Sequence, residues 1–450
     1  MTLLCEISKF SSKSTALVWK NNCVSYLELK SKCSKYARAL SGKRLLLQTS
    51  DPIEFIKTMI AGDGMCKSLT FLPPDLNIEH SLLIAKLDRS DLYIGDNAKE
   101  FEVISSIKGL KDLQRITSSN NLLENRSDTL WKILTSGTTG KPKLISHTFK
   151  TLTKSVATKS HRNPKNCWGL LFEHYRFAGI QVILQSILTK GILIIPDIKL
   201  VINLKIDFLR NNHCTHLSAT PTLWRSILMY RKAKELNLKQ VTLGGEIADE
   251  KLLVMIKVSY PQARITHIYA STEAGVSFSV NDGKPGFPTS YLHSKLNGHK
   301  LTVKEGTLYV HNTSVSSINK QIKKCKIYKN TWIDTGDSVK IIENRVYFTG
   351  RNCRIINCGG NKINPEEVEQ QLLLHPQVQS AVVYGRRSSL MGSIVAAKIV
   401  ISEFIENEKE LKNILKMYLS EKFEKYKIPS LISIEKNLEI SSSGKIIRSV

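Results

Sequence analysis

Leu134-Thr135-Ser136-Gly137-Thr138-Thr139-Gly140-Lys141-Pro142-Lys143 is the stretch from which the rest of the chain can be read. Hydroxyl residues and glycines alternate, and lysines follow. Glycine lets a backbone approach a ligand closely, and hydroxyls and amides then donate to phosphate oxygens. Lys141 and Lys143 add positive charge. The strand-like WKILT before the loop places it at a strand C-terminus, where α/β folds bind ligands. It is not a Walker A loop, which has four residues between its glycines and Ser or Thr after the Lys. Here two residues separate Gly137 from Gly140, and Pro142 follows Lys141.

Working outward, helix-like and strand-like segments alternate. Residues 26–40 carry apolar side chains at helical spacing, RLLLQT (44–49) has strand length, and 52–61 reads as a helix. GILIIP, the helix-like KLVINLKIDFLRNN and THLSATP repeat the scheme. Such alternation argues for α/β layers around a mostly parallel sheet. After about residue 300 the texture changes to short β-rich segments, LTVKEGTLYVHN and DSVKIIENRVYFTG. In the last hundred or so residues, Asn364-Pro365-Glu366-Glu367 opens a helix, with Pro and acids in the first turn. Strands SAVVYG and SIVAAKIVI, a helix over 409–425 and a closing strand follow. The expected organisation is a large α/β body with parallel sheets over residues 1–352, including a β subdomain at about 290–350. A small, mobile α+β lid is expected over 353–450.

Composition sets the class. At 450 residues, 42% apolar and 23% charged, the chain is globular and long enough for a large core. Lys plus Arg number 65 against 39 Asp plus Glu, a net charge of +26. Such an excess suits nucleic acid, an anionic membrane or an acidic protein, or simply solvates the surface. No zinc finger, basic helix or aromatic RNA-binding string supports specific nucleic-acid binding. The 9 cysteines include no CxxC, which argues against a zinc site or disulfide framework and for reduced thiols in the cytoplasm. The opening MTLLCEISKF lacks the pattern of a signal peptide. The most apolar stretch, 180–198, is broken by Gln181, Gln185, Lys190, Gly191 and Pro196, so it reads as helix, turn and buried strand rather than a membrane span.

The glycine-rich loop resembles the phosphate loop of the adenylate-forming superfamily: acyl-CoA synthetases, aryl-CoA ligases, luciferase-like enzymes and peptide-synthetase adenylation domains. The resemblance recurs in order along essentially the whole chain. The family's Tyr-Gly-x-Thr-Glu element is similar to Tyr269-Ala270-Ser271-Thr272-Glu273, and its Thr-Gly-Asp element to Thr335-Gly336-Asp337. Gly350-Arg351, the run Gly359-Gly360-Asn361-Lys362 and Ser443-Gly444-Lys445 match its later elements.

The resemblance implies that a carboxylate is joined to the α-phosphate of ATP with release of pyrophosphate, then transferred to a thiol. Bringing two anions together requires cations and donors. Thr135, Ser136, Gly137, Thr138, Thr139, Gly140, Lys141 and Lys143 would cradle phosphate. Thr272 would donate to the α-phosphate, and Glu273 would hold Mg²⁺, which prefers oxygen ligands. Asp337, with Arg351, would take the ribose hydroxyls, as acids do in dinucleotide folds. Gly245 and Glu246 would lie on the adenine side, and Tyr269 would join the nucleotide site. Lys445, carried by the mobile lid, would reach the carboxylate and α-phosphate as charge builds. The acid pocket is expected near His174, Phe177, Gly179 and His267, with either His174 or Phe177 at its entrance. Glu173 but no Asp stands in register, which favours a non-amino acid, aryl or aliphatic. Gly359 and Gly360 would border the thiol tunnel.

The family's hinge Asp or Lys is replaced by Cys353, expected as a buried thiol, and Gly-Thr-Leu at 306–308 replaces Gly-Glu-Leu. The Pro that often precedes the terminal Gly-Lys is absent. With no carrier domain expected after Lys445, the thiol would come from outside: coenzyme A is the default acceptor, and the phosphopantetheine of a separate, acidic carrier protein is the alternative. The basic chain would favour the latter by electrostatic steering.

Overall fold

The computed structural model describes residues 2–10, 12–105, 107–111, 128–135, 143–156, 163, 165–272, 274–312, 332–358, 361–388, 392–402, 407–441 and 444–448. Ser136, Gly137, Thr138, Thr139, Gly140, Lys141, Glu273, Gly359 and Gly360, assigned above to phosphate, Mg²⁺ and thiol, lie outside the described residues.

Two sheets with parallel interiors form the body. In one, strands Arg264–Ser271, Gln240–Gly244, His216–Ala219, Cys167–Leu170, Ile192–Ile195 and Thr15–Trp19 run parallel, with antiparallel edges Gly275–Val280 and Asn22–Ser25. In the other, Lys108–Leu110, Leu92–Gly95, Arg44–Gln48, Ser68–Phe71 and Leu130–Thr135 run parallel, and Lys143–His147 closes the edge antiparallel to its neighbour. The alternation read from the sequence is thus divided between two layers. Their strands are apolar along their lengths because helices cover them. Phe55, Phe71, Trp131, Ile180 and Ile183, all buried, belong to one continuous core that joins the layers.

The helices begin where the sequence has capping residues. Asp51 accepts from the Ile53 and Glu54 amides ahead of Pro52–Gly62, and Thr220 accepts from the Leu223 amide ahead of Pro221–Met229. Each carries Pro in its first turn, where a missing N–H costs nothing. The expected helix over 26–40 is α-helical only through Tyr26–Ala37 and tightens into a 3₁₀ turn at Arg38–Leu40.

The β subdomain is an antiparallel sheet of Phe287–Pro288, Arg345–Arg351, Trp332–Ile342, Thr307–Asn312 and His299–Lys304. After the 3₁₀ turn Asn352–Arg354 comes the lid. Its helices Pro365–Leu374 and Glu408–Ser420 pack on the sheet of Val378–Ser388, Gly392–Ile401 and Leu431–Ile434. Its core, around Val368, Leu372, Val383, Ile399 and Leu415, is separate from that of the body. Cys353 departs from expectation: its thiol is exposed, because the turn joins the two units without entering either core. The cysteines among the described residues are free thiols. No helix among them is long and apolar enough to cross a membrane.

Candidate active site

The sheet register builds the site floor. Ala219 pairs with Leu243, and Gly244 with Ile268, so the strands of Ala219 and Gly244 end within one residue of each other, while Arg264–Ser271 runs three residues further. Thr220 and Gly245, which follow the first two ends, therefore share one edge, and Thr272 follows the longer strand beside them. Gly245 adopts φ +83°, a left-handed conformation that glycine takes without steric cost.

Lys445 of the lid lies against this edge. A Cβ on Gly245 would stand 3.1 Å from Lys445 Cε and 3.6 Å from its Nζ, so the missing side chain makes room for the lysine. Two groups of the body hold the lysine's loop. The Thr220 hydroxyl donates to the Gly444 carbonyl. Glu246 accepts from the body's Thr222 amide at 3.0 Å and from the lid's Ile446 amide at 3.4 Å. Within the lid, Ser441 N–H donates to the Lys445 carbonyl at 2.7 Å, and Arg448 grips the buried Glu369 with two N–H groups. Burial lowers the pKa of Lys445, and the guanidiniums of Arg351, Arg354 and Arg176 push the same way, while Glu246 opposes them. Several cations thus converge on one edge, an arrangement that favours a polyanionic ligand.

Asp337 is the other fixed charge. It pairs across the strand with Arg351, whose Nε lies 2.9 Å from Oδ1, and the Tyr269 hydroxyl donates to Oδ2 at 2.5 Å. The Asp337 N–H donates to Thr335 Oγ1, which in turn donates to the Leu308 carbonyl. Each carboxylate oxygen retains a lone pair for a further donor. The Tyr269 ring is stacked between Phe278 and Phe348, with centroids at 5.0 and 5.2 Å, so both its faces are covered. Burial and the neighbouring Asp337 raise its pKa far above the ordinary tyrosine value.

The profile of the AMP-binding enzyme family matches residues 76–317, more than half of the chain, and that of its C-terminal domain matches 367–445. The chain belongs to the AMP-binding enzyme family. A 2-succinylbenzoate–CoA ligase of Bacillus velezensis is 22% identical over 99% of this chain and 96% of its own. The o-succinylbenzoate CoA synthetase of Bacillus subtilis with its acyl-adenylate intermediate has TM-score 0.76 at 21% identity, covering 99% of this chain and 97% of that one. Its complex with ATP and magnesium gives TM-score 0.75 at 21% identity, covering 99% and 98%.

In this AMP-binding enzyme His174, Phe177 and Gly179 stay together at the start of one helix, and His267 lies on a strand of the parallel sheet. Phe177 opens the helix Phe177–Leu188, 5.7 Å from the His147 ring. Gly179 is required by close packing, since a Cβ there would fall 2.1 Å from the Glu173 carbonyl oxygen. His174 is buried against Phe55, its Nε2 3.1 Å from the Thr49 carbonyl, and burial holds its pKa below the ordinary value. His267 is mid-strand and neutral, pushed down to about 4 by burial; the charges acting on it are those of Asp282 and Arg345. Five residues of strand place it about 16 Å before Thr272. Glu173 is buried and engaged by the Tyr175 hydroxyl and Arg176 Nε.

Residues that sequence reasoning passed over complete the edge. His147 Nε2 donates to the Thr272 carbonyl at 2.7 Å, which fixes its tautomer and positions Thr272. Its place at the end of the edge strand Lys143–His147 follows from the register Trp131↔His147. Thr220 caps a helix and also reaches the lid, a second role that no local sequence signal marks. Among the described residues no three His, Cys, Asp or Glu side chains form a metal cluster.

Proposed function

We propose that this chain condenses a carboxylic acid with ATP to an acyl-adenylate and then transfers the acyl group to the thiol of coenzyme A. A carboxylate oxygen bonds to the α-phosphorus as the bond to pyrophosphate breaks. In the second step sulfur bonds to the acyl carbon and AMP leaves. The observation that carries this reading is the seating of Lys445 against Gly245, its loop held by Thr220 and Glu246. A fixed ammonium there offsets the charge that builds between carboxylate and α-phosphate, and needs no reorganisation at the moment of reaction. Asp337, held by Tyr269 and Arg351, accepts from the ribose hydroxyls. Thr272, held by His147, stands at the strand end to donate to phosphate. Mg²⁺ supplies charge neutralisation on the phosphates when bound, with Glu273 as its ligand.

The relatives' names make 2-succinylbenzoate the first acid to test, followed by other aryl and aliphatic acids. The test is ATP–pyrophosphate exchange with each acid, then thioester formation with coenzyme A or with a phosphopantetheinylated carrier protein. Exchange with an acid, lost in Lys445→Ala while the protein stays folded, is expected. Unchanged exchange in that variant would refute the role of Lys445, and transfer to the carrier protein alone would replace coenzyme A as acceptor.

A further inference from the structure

The lid meets the body at a further place, away from Lys445. Lys251 lies at the start of the body helix Glu250–Ser259, which Asp249 caps by accepting from the Leu252 amide. Arg225 pairs with Asp249, so this helix start is itself fixed. The Lys251 ammonium donates to the carbonyls of Leu373, His375 and Val378 at 3.2, 3.1 and 3.0 Å. All these acceptors belong to the lid, at the end of the helix Pro365–Leu374 and the turn into its first long strand. An ammonium has three donors, and here each has an acceptor. The last carbonyls of a helix otherwise lack partners, and a cation there also complements the helix dipole.

The geometry has a mechanical consequence. The lid has its own core, to which that helix contributes Val368 and Leu372. Arg448, close in sequence to Lys445, is bound to Glu369 of the same helix, so Lys445 and the Lys251 contact are two points on one body. A third contact, Gln370 Nε2 to the Phe348 carbonyl at 3.3 Å, lies near the turn Asn352–Arg354. Three separated contacts suffice to fix the orientation of a rigid unit.

We infer that Lys251 is a positioning residue for adenylate formation: by clasping three lid carbonyls it holds the lid in the orientation that seats Lys445. The acceptors are backbone atoms, so rotation of the lid breaks all three bonds together and frees it for the thiol-transfer step. The inference rests on the proposed two-step reaction and extends it: the lid, expected to be mobile, is taken to leave this orientation before thiol transfer.

Hydrogen exchange of the whole protein tests it without any acid. The Ile446 amide, donated across to Glu246, reports docking, and the Val383 amide, donated to Glu369 inside the lid at 2.7 Å, reports lid integrity. In Lys251→Met, which keeps the apolar stem, exchange at Ile446 is expected to rise about tenfold or more, with Val383 unchanged. Lys251→Arg, which retains charge and donors, is expected to recover part of the protection. Where an acid supports exchange, Lys251→Met slows adenylate formation and leaves transfer from preformed adenylate intact. Equal protection of Ile446 in wild type and Lys251→Met overturns the latch. Parallel loosening of Val383 overturns it in favour of a structural role. An Ile446 amide unprotected in the wild type overturns the docked lid itself.

Discussion

Gly245→Ala separates two effects that ordinarily arrive together. At φ +83° an alanine is held in the left-handed region, which costs about 1–2 kcal/mol for any residue with a Cβ. The new methyl would also stand 3.1 Å from Lys445 Cε. Carbon atoms in comfortable contact lie about 3.5–4.0 Å apart, so the lysine must retreat by roughly 0.4 Å. It is the far end of a flexible side chain and can do so at little cost in stability. Catalysis is less tolerant. If about 1 Å of misplacement costs about a hundredfold, a log-linear scaling gives roughly sixfold for 0.4 Å. Gly283→Ala supplies the control: φ is +72°, and a Cβ there would meet nothing within 4 Å. The assays are thermal unfolding and ATP–pyrophosphate exchange with the activating acid. Both variants are expected to lose similar stability, and only Gly245→Ala to lose exchange. Equal exchange rates in two folded variants would refute the placement of Lys445 beside Gly245.

Other outcomes follow from the same contacts. Tyr269→Phe removes the hydroxyl that donates to Asp337, a charge-assisted bond worth about 1.5–3 kcal/mol, so the KM for ATP should rise roughly tenfold or more; an unchanged KM would dissociate Asp337 from the nucleotide. Because burial lowers the pKa of Lys445, exchange should fall on an alkaline limb below the ordinary lysine value of about 10.4, and Lys445→Arg should move or abolish that limb, as pH profiles will show. Arg448→Met strands the buried Glu369 carboxylate and should destabilise the lid by about 3–5 kcal/mol, read in urea unfolding of the full chain. His216 is buried, with its pKa pushed down to about 4 from the ordinary 6.5. The unfolded chain then binds its proton first, so stability is lost on acidification through that window, by roughly 3 kcal/mol in full. His216→Gln should flatten the dependence between pH 7 and 4.5 in denaturant titrations.

Much of this architecture is legible from the sequence because its signals are local. Hydrophobic runs, helix starts such as Asn364-Pro365 and the change of texture near residue 300 each concern a few consecutive residues. The Asp337–Arg351 pair was also within reach, since both close elements that are read together. What local reading misses is set by sheet order. Nothing adjacent to His147 in sequence points to Thr272; the two meet because one edge strand folds back beside another sheet. The backbone of His174 stays against Gly179, while its ring packs on Phe55, a residue far away in sequence. Arg176, two residues on, is the group whose charge reaches Lys445. Tyr269 keeps its place in the site, but with its ring faces covered its hydroxyl is the part that acts.

Glu246 shows how the two domains make one site. In sequence it stands beside Gly245 and reads as part of a nucleotide-side loop. In the fold one oxygen binds the start of the body helix through Thr222, and the other receives Ile446 of the lid. It is also the anion that opposes the neutralisation of Lys445. One carboxylate therefore ties lid position to the charge state of the lysine. Undocking removes from Lys445 both the burial that weakens its charge and the carboxylate that sustains it. The strained balance exists only when the lid is seated. An ammonium partly stripped of water and beside one acid is a stronger electrostatic partner for a developing phosphorane than the same group in solvent. Glu246→Gln keeps one of the two acceptor oxygens but not the charge, so it should shift the alkaline limb of exchange further down while Ile446 stays partly protected. A limb unmoved by that substitution would show that Glu246 acts through its hydrogen bonds alone.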